Sequence, residues 1–467
     1  MLISAMLITS CGGSGTAKPS ENMSGGSTTS EAVETEPPLE IRDFDGREFV
    51  FYVRWATDGW DWNVDDLLSE EENGEPVNDA VYKRNQTICE RYNCSLTQVK
   101  SGEIMGTTSI RSSVLAGDGS YDAIIMQGYD MVSLGREGLL IDLLTLEDID
   151  TTKSYWNPTL IKELSLGGKL WYAMGDLSAT DNRAVSCLYF NKELFEDYQL
   201  ENPYDLVKSG QWTFDKFLGM VTDGKVDLDG DGDYDTDDQW GLYVQPELGL
   251  NMYFAGGGRL TEKDADDLLT VTFGEKSAIE LMTTVSEGIQ SASDAILISN
   301  DYLTMIPSFA DGHSLFYSEV SLFIERFRKY DFDVGMIPMP KADEYQEDYC
   351  QYADGFCLNF VGVPMDSKTP DDTALLLEAL SAESPDTLTK AYYDICLTGK
   401  SIRDEESGEM LDIIFNNYTI DYINLFNNNY YIQLLSALRG EKEVASTVAS
   451  ALEAAKAEID KVNETLK

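Results

Sequence analysis

The sequence predicts an α/β fold of two lobes, each built on a doubly wound and mostly parallel β-sheet. Apolar, β-rich runs alternate with helical segments along the chain, which is the pattern of strands that return through helices. A polar segment, residues 175–183, joins two apolar runs and is longer than the usual hairpin loop, so it is predicted to cross between α/β units. The length of 467 residues is enough for two or three domains with sizeable cores.

Composition supports a folded protein and excludes several classes. Hydrophobic residues make up 43% of the chain and aromatic residues 11%. The 83 acidic residues outweigh the 34 basic ones and give a net charge of −49, so neither nucleic acid nor an anionic membrane surface is an expected partner. The chain has a single histidine, His313, so metal sites that need two imidazoles are excluded. Whether Cys89 and Cys94 form a disulfide stays open.

The first residues read as a lipoprotein signal. Residues 1–11 form a short apolar run that ends in Ile-Thr-Ser-Cys, which resembles a bacterial lipobox with Cys11 as the acylated residue. No Lys or Arg precedes this run, so we expect the signal to begin further upstream. Residues 12–40 are rich in Gly, Ser, Thr, Pro and Glu and are predicted to be a flexible tether. We therefore expect a lipid anchor.

The first lobe begins with a strand over Glu48–Trp55, followed by a helix over Val77–Tyr92 and a strand over Tyr121–Met126. Ligands of doubly wound sheets bind beyond the carboxyl ends of the strands. The candidate binding residues that follow these two strands are Trp55, Trp60, Trp62, Tyr129 and Asp130. Flat aromatic faces with polar groups at their edges suit a sugar ring, although Trp55 has a packing role in the core as its alternative.

The crossing segment is predicted to be a hinge. It lies between apolar strands over Leu170–Met174 and Ala184–Phe190, with no helix in between, and a helix over Asn191–Tyr198 follows. Its polar candidates for ligand binding are Asp176, Asp181 and Arg183, the last with an ion pair to a nearby Asp as its alternative.

This region carries a resemblance to a known family. The runs GKLWYAMGDLS, LYFNKELFEDYQLENPYDLVKSGQWTFDKFL and FDVGMIPMPK resemble the extracellular solute-binding proteins of bacterial ABC importers, of the sugar-binding lipoprotein type. The resemblance runs from about residue 41 to the C-terminus and includes no catalytic signature. It implies a two-lobed, periplasmic-binding-protein-like fold of type II, with the ligand held in the cleft beside the hinge. It also implies an ABC permease as partner and a monomer anchored at the extracellular face of the cell membrane.

The second lobe is predicted to contain helices over Phe214–Val221, Ser277–Glu287 and Tyr302–Ala310, and strands over Trp240–Val244, His313–Glu319 and Phe332–Ile337. Tyr317 and Glu319 end one of these strands and are candidate binding residues. A strand over Asp354–Val363 returns to the first lobe and adds Asp354 to the candidates. A helix over Asp371–Ala382 and an Ala-rich helix over Ala445–Leu466 follow. Lobe 1 is assigned to residues 41–175 and 350–400, and lobe 2 to 176–349 and 401–467.

The most specific short motif is an acidic loop, residues 227–238, with the sequence DLDGDGDYDTDD. Calcium loops place oxygen ligands at positions one, three, five, seven, nine and twelve, with glycine at six. The corresponding residues are Asp227, Asp229, Asp231, Asp233, Asp235 and Asp238, with Gly232 at six. Since a strand follows, no EF-hand helix pair is expected. A structural calcium ion is therefore predicted, with an acidic surface turn as the alternative.

The sequence favours a binding protein that captures a small polar solute, most of all an oligosaccharide, without chemical turnover. No GxSxG, HExxH or phosphate-binding glycine loop is present, so an enzyme is not expected. Two alternatives remain open. A calcium-stabilised glycoside-active enzyme would use paired carboxylates, and a passive surface-binding protein would have no ligand cleft.

Overall fold

The computed structural model describes residues 39–235, 237–398, 405–426 and 429–466. Cys11 and most of the predicted tether lie outside these residues, as does Thr236 of the acidic loop. The strands are β1 Arg47–Val53, β2 Cys94–Lys100, β3 Ala123–Gln127, β4 Ser186–Asn191, β5 Trp240–Val244, β6 Thr261–Lys263, β7 Leu269–Val271, β8 Ile296–Ile298, β9 Ser314–Val320, β10 Val334–Ile337, β11 Gln351–Tyr352, β12 Asn359–Gly362 and β13 Tyr418–Thr419.

Helices surround these strands. In the first half of the chain they are α1 Pro76–Tyr92, α2 Thr108–Ala116, α3 Gly128–Arg136, α4 Pro158–Leu164, α5 Thr180–Arg183, α6 Lys192–Asp197, α7 Pro203–Lys208 and α8 Phe214–Asp223. In the second half they are α9 Leu248–Ala255, α10 Lys276–Ser291, α11 Tyr302–Ala310, α12 Phe323–Phe327, α13 Pro370–Glu383, α14 Lys390–Thr398, α15 Glu405–Asn416, α16 Asn429–Leu438 and α17 Val444–Leu466. Among the described residues, no helix is both long and apolar enough to cross a membrane.

Two sheets form the centres of the two lobes. The first has the strand order β12-β3-β1-β2 and the second has the order β10-β4-β9-β5-β8. The alternation of strands and helices thus folds into α/β lobes as predicted. The chain passes from the first sheet to the second between β3 and β4, and returns between β10 and β12. The assignment of residue ranges to the two lobes stays a prediction.

The sheets are mostly parallel, as predicted, and each contains one strand, β12 or β4, that runs against all the others. The pairs β1·β2, β1·β3, β5·β8 and β5·β9 are parallel. β4 runs antiparallel to β9, β10 runs antiparallel to β4, and β12 runs antiparallel to β3. β4 is the first strand that the chain adds to the second sheet, and β12 is the first strand that it adds on returning to the first sheet. Each therefore starts at the edge where the parallel strands end.

The crossing segment differs from its prediction in two ways. Residues 180–183 form the short helix α5, so a helix does lie between the two apolar runs. Leu170–Met174 is not a strand, because only Ala173 makes a β-bridge, to Val361 in β12. The backbone of Leu170 instead accepts a hydrogen bond from Leu143, 2.7 Å away.

The return strand is also shorter than predicted. Asp354–Val363 was expected to be extended, but β12 begins only at Asn359. The residues before it form a turn, in which Asp354 accepts a side-chain hydrogen bond from the Phe356 amide at 2.7 Å and a backbone bond from Cys357 at 2.9 Å. A carboxylate that bonds the amide two residues ahead favours such a turn over a strand.

Several local predictions are confirmed. Thr213 accepts a hydrogen bond from the Lys216 amide and begins α8, as its N-cap position predicted. The Ala-rich segment forms α17, which buries Val448, Ala451 and Ile459 on one face. Cys89 and Cys94, whose pairing the sequence left open, form no disulfide with each other.

Candidate functional site

A cavity of about 450 Å³ lies where the ends of both sheets meet. Trp60 and Trp62 lie in the loop after β1, and Tyr129 follows β3. From the second sheet, Gln245 and Glu247 follow β5. These residues share one edge because they follow the carboxyl ends of parallel strands, which is where α/β sheets bind ligands.

The two antiparallel strands add their first residues to the same edge. Asn359 at the start of β12 pairs with Gln127 at the end of β3, so Asp354 and Phe356 lie just outside that end. In the second sheet, Ser186 at the start of β4 pairs with Val320 at the end of β9. The cavity is therefore lined both by residues that follow parallel strands and by residues at or before the starts of the antiparallel strands β4 and β12.

The lining is rich in aromatic rings. In chain order they are Trp60, Trp62, Tyr129, Tyr302, Phe323, Tyr352, Phe356 and Tyr431. Phe356 holds two of the others, since its ring centroid lies 6.3 Å from that of Trp60 and 6.4 Å from that of Tyr129. Such rings offer flat apolar faces to a ligand. They have few rotatable bonds, so they lose little conformational entropy when a ligand binds.

A buried arginine supports this aromatic wall from behind. The Arg54 side chain is 0% exposed, and its guanidinium carbon lies 4.7 Å from the Trp60 ring centroid and 4.5 Å from that of Phe356. Its Nη1 donates to the Phe356 carbonyl oxygen at 2.7 Å. Burial lowers the pKa of Arg54 to about 10. Arg54 thus fixes the two rings by cation–π contacts and a hydrogen bond.

Carboxylates supply the polar chemistry of the cavity. Glu319 accepts a hydrogen bond from Gln245 Nε2 at 2.5 Å. Burial, with the nearby Glu247 second, raises the pKa of Glu319 to about 8. Burial, with Asp354 second, raises the pKa of Glu247 to about 7. Burial also raises the pKa of Asp354. These groups can accept hydrogen bonds from hydroxyls or neutralise a cation.

The structure brings five of the predicted binding residues to this cavity: Trp60, Trp62, Tyr129, Glu319 and Asp354. Three others lie nearby but do not line it. Asp130 accepts hydrogen bonds from the Gly106 amide and Gln127. Tyr317 is fully buried among Phe309, Phe323 and Phe327. Trp55 lies under Lys100, whose Nζ is 3.3 Å from the ring centroid.

The candidates from the crossing segment lie elsewhere. Asp176 and Asp181 line a second cavity of about 340 Å³. Burial raises the pKa of Asp176 to about 6 and, with Asp176 as the second cause, that of Asp181 to about 8. Arg183 forms ion pairs with Asp65 and Glu325, each at 3.0 Å, which is the alternative that the sequence left open.

Several residues that line the cavity were not predicted from the sequence. Gln245 and Glu247 directly follow β5, whose strand was predicted, so the strand-end rule could have found them. Tyr352 and Phe356 flank the predicted Asp354. No local sequence signal marks Tyr431. It lies on α16, not after a strand, and reaches the cavity through tertiary packing alone.

The acidic loop is held by its own carboxylates. Asp227 accepts hydrogen bonds from the amides of Gly230 and Gly232 at 2.6 and 3.1 Å. Asp238 accepts from Leu228 at 2.8 Å and Asp235 at 3.1 Å. Carboxylate oxygens of Asp227, Asp229 and Asp231 lie within 4.8 Å of one another. This oxygen set fits a hard cation such as calcium.

Comparison with known proteins identifies the fold. No family model matches the chain, and no curated protein is similar to it in sequence. Among solved structures, the ABC substrate-binding protein Lmo0181 from Listeria monocytogenes, in complex with cycloalternan, is 13% identical with a TM-score of 0.57, over 90% of this chain and 99% of that one.

Two further structures are similar to the same extent. The cyclic α-maltosyl-1,6-maltose binding protein from Arthrobacter globiformis is 16% identical with a TM-score of 0.58, over 90% of this chain and 99% of that one. UgpB from Mycobacterium tuberculosis, in complex with glycerophosphocholine, is 16% identical with a TM-score of 0.56, over 82% and 95%. The predicted two-lobed, binding-protein-like α/β fold is confirmed.

Proposed function

We propose that this protein is the substrate-binding component of an ABC importer, and that it captures a small polar solute, most of all an oligosaccharide, between its two lobes. The observation that carries the proposal is the 450 Å³ cavity at the meeting edges of two sheets, which combines eight aromatic rings with carboxylates and amides. Aromatic faces match the C–H faces of sugar rings, while the polar groups match hydroxyls. Of the similar structures described above, one is in complex with cycloalternan and another is a cyclic α-maltosyl-1,6-maltose binding protein.

The proposed mechanism is differential affinity. The cavity takes residues from both sheets, so a ligand makes all of its contacts only when the lobes are closed. Binding then shifts the equilibrium between open and closed forms toward the closed one, which a permease recognises. No bond is broken in this cycle, and the ligand leaves intact.

Three further parts of the proposal rest on sequence. Cys11 carries the lipid anchor that holds the protein at the extracellular face of the cell membrane. The acidic loop, residues 227–238, binds calcium as a structural ion, and the close carboxylates of Asp227, Asp229 and Asp231 support this. The protein acts as a monomer with a membrane permease as its partner and without nucleic acid.

A glycan screen tests the function. The purified protein is heated with members of an oligosaccharide library, and hits are measured by isothermal titration calorimetry. We expect at least one oligosaccharide to raise the melting temperature and to be recovered intact after denaturation. A ligand that is consumed would favour the glycoside-active enzyme, and a protein that no small solute stabilises would favour the passive surface protein.

A further inference from the structure

The charged residues that line the cavity are all acidic. Glu247, Glu319 and Asp354 line it, and none of the described residues that line it is Lys, Arg or His. A fourth carboxylate, that of Asp61, is already paired with Arg326. Three carboxylates therefore face the ligand space without a basic side chain among the lining residues.

The basic groups around the cavity are engaged elsewhere. Arg54 lies behind the rings of Trp60 and Phe356 and lowers the pKa of Asp354 only partly, because burial outweighs it. Arg439 pairs with Glu441 at 2.8 Å and lowers the pKa of Glu247 less than burial and Asp354 raise it. Within the described part of the chain, no ion pair reaches Glu247, Glu319 or Asp354.

Burial and the closeness of these groups penalise their ionised forms, which is why their pKa values are raised. A neutral sugar leaves them mostly protonated and exchanges only ordinary hydrogen bonds with them. An ammonium group lowers their pKa values, stabilises the ionised carboxylates and forms charge-assisted hydrogen bonds with them. The surrounding rings add attraction, since aromatic faces bind cations.

We propose that the ligand is cationic, an oligosaccharide that carries amino groups, and that Glu247, Glu319 and Asp354 accept its ammonium groups while the aromatic rings stack on its sugar rings. This inference rests on the proposed function and narrows its substrate class. It also excludes uronic acid oligomers and sugar phosphates, since like charges would meet in a closed cavity.

Calorimetry with a matched ligand set tests the inference. The probes are chitotriose, whose amines are free, and its fully N-acetylated form, which has the same rings and linkages but no charge; trigalacturonate is the anionic probe. At about pH 6.5 we expect chitotriose to bind at least about tenfold tighter than the acetylated form, a difference typical of one well-placed charge pair. Trigalacturonate should not bind.

Variants link this preference to the carboxylates. Glu247→Gln and Glu319→Gln, singly and combined, should each reduce the ratio of the two affinities, and the combined variant should bring it to within about threefold. Glu163→Gln is the matched control, because Glu163 is a partly buried carboxyl on α4 whose pKa burial also raises, and it does not line the cavity. Melting curves confirm that each variant is folded.

The outcomes separate this inference from the proposed function. Equal or tighter binding of the acetylated trimer, or an affinity ratio that the two Gln substitutions leave unchanged, overturns the cationic ligand and leaves an oligosaccharide-binding protein. Binding of trigalacturonate also overturns it. If neither these probes nor any member of the glycan library stabilises the protein, both the inference and the proposed function are wrong.

Discussion

Stacking on Trp60 and Trp62 is the residue-scale source of affinity in the proposed site. Both rings are partly exposed and line the cavity, so a sugar ring can cover them. Trp60→Ala or Trp62→Ala should each weaken ligand binding by roughly 1 to 3 kcal/mol, because contact area and ring attraction are both lost. Titration calorimetry and the change of tryptophan fluorescence on binding measure this effect.

Trp171 provides the control for these substitutions. It packs beside Gly135, away from the cavity, with its Cβ 3.4 Å from where a side chain on that glycine would begin. Trp171→Ala should therefore lower the melting temperature and leave affinity nearly unchanged. If the Trp60, Trp62 double variant binds the identified ligand as tightly as wild type, the site is not at this loop.

The raised pKa values of Glu247 and Glu319 should also make the ligand-free protein less stable as pH rises. The pKa values of Glu247 and Glu319 are about 7 and about 8 in the fold, against 4.5 ordinarily, so the folded state holds protons that the unfolded state has lost. Their contribution to stability is complete below about pH 4.5 and is lost as pH rises through 7 and 8. The melting temperature should fall between about pH 5 and about pH 8.5.

Glu319→Gln should make this fall shallower, because an amide does not titrate. Glu90→Gln, which changes an exposed carboxylate on α1, should leave the slope as in wild type. A melting temperature that rises over this pH range would contradict the assignment of raised pKa values to the cavity carboxylates.

At the scale of elements, two ion pairs join the loop after β1 to helices α5 and α12, which lie far along the chain. Asp61 pairs with Arg326 on α12, and Asp65 pairs with Arg183 on α5 at 3.0 Å. Partly exposed pairs contribute up to about 1 kcal/mol each. In the proposed cycle these contacts stabilise the closed form, so they affect how much of it exists before the ligand binds.

Asp61→Asn combined with Asp65→Asn should shift the ligand-free protein toward the open form by about five- to thirtyfold in the equilibrium constant. Small-angle X-ray scattering should then show a larger radius of gyration without ligand. Glu201→Gln removes an ion pair to Lys216 within the second lobe and should not change the radius. An unchanged radius in the double variant would mean that packing alone closes the lobes.

The acidic loop is an element whose order we expect to depend on calcium. Asp229→Ala with Asp231→Ala removes two proposed ligands and should abolish the rise in melting temperature that calcium causes, while ligand affinity stays nearly the same. Asp233→Ala is a matched control, because position seven of such loops binds through its backbone carbonyl. Calorimetry that shows no calcium binding at about millimolar concentration would refute the site.

At the scale of the whole molecule, the proposed location at the membrane depends on Cys11. Cys11→Ala should move the protein from the membrane fraction to the soluble fraction, since acylation needs the thiol and the amine of that cysteine. Immunoblotting of the two fractions measures this. An equally firm membrane association of the variant would place the anchor elsewhere.

The fold class and part of the site were predictable from local pattern. The apolar strands and the strand-end rule led to Trp60, Trp62 and Tyr129, because the polarity of a strand fixes which of its ends faces the ligand edge. The close carboxylates of the acidic loop were also predictable, since their spacing lies within twelve consecutive residues, while calcium binding there stays a prediction.

Tertiary structure decided the rest, because it depends on pairs of residues that are distant along the chain. The antiparallel entry of β4 and β12, and with it the position of Asp354, follows from how the chain returns to each sheet. Asp181 and Glu319 are both acidic residues, and only the packed structure shows that they line different cavities. The sequence by itself thus determined the fold class and the sheet edge at which the cavity lies. Only the packed structure decided which carboxylates meet there, since their burial and shared repulsion arise from neighbours that the sequence does not place side by side.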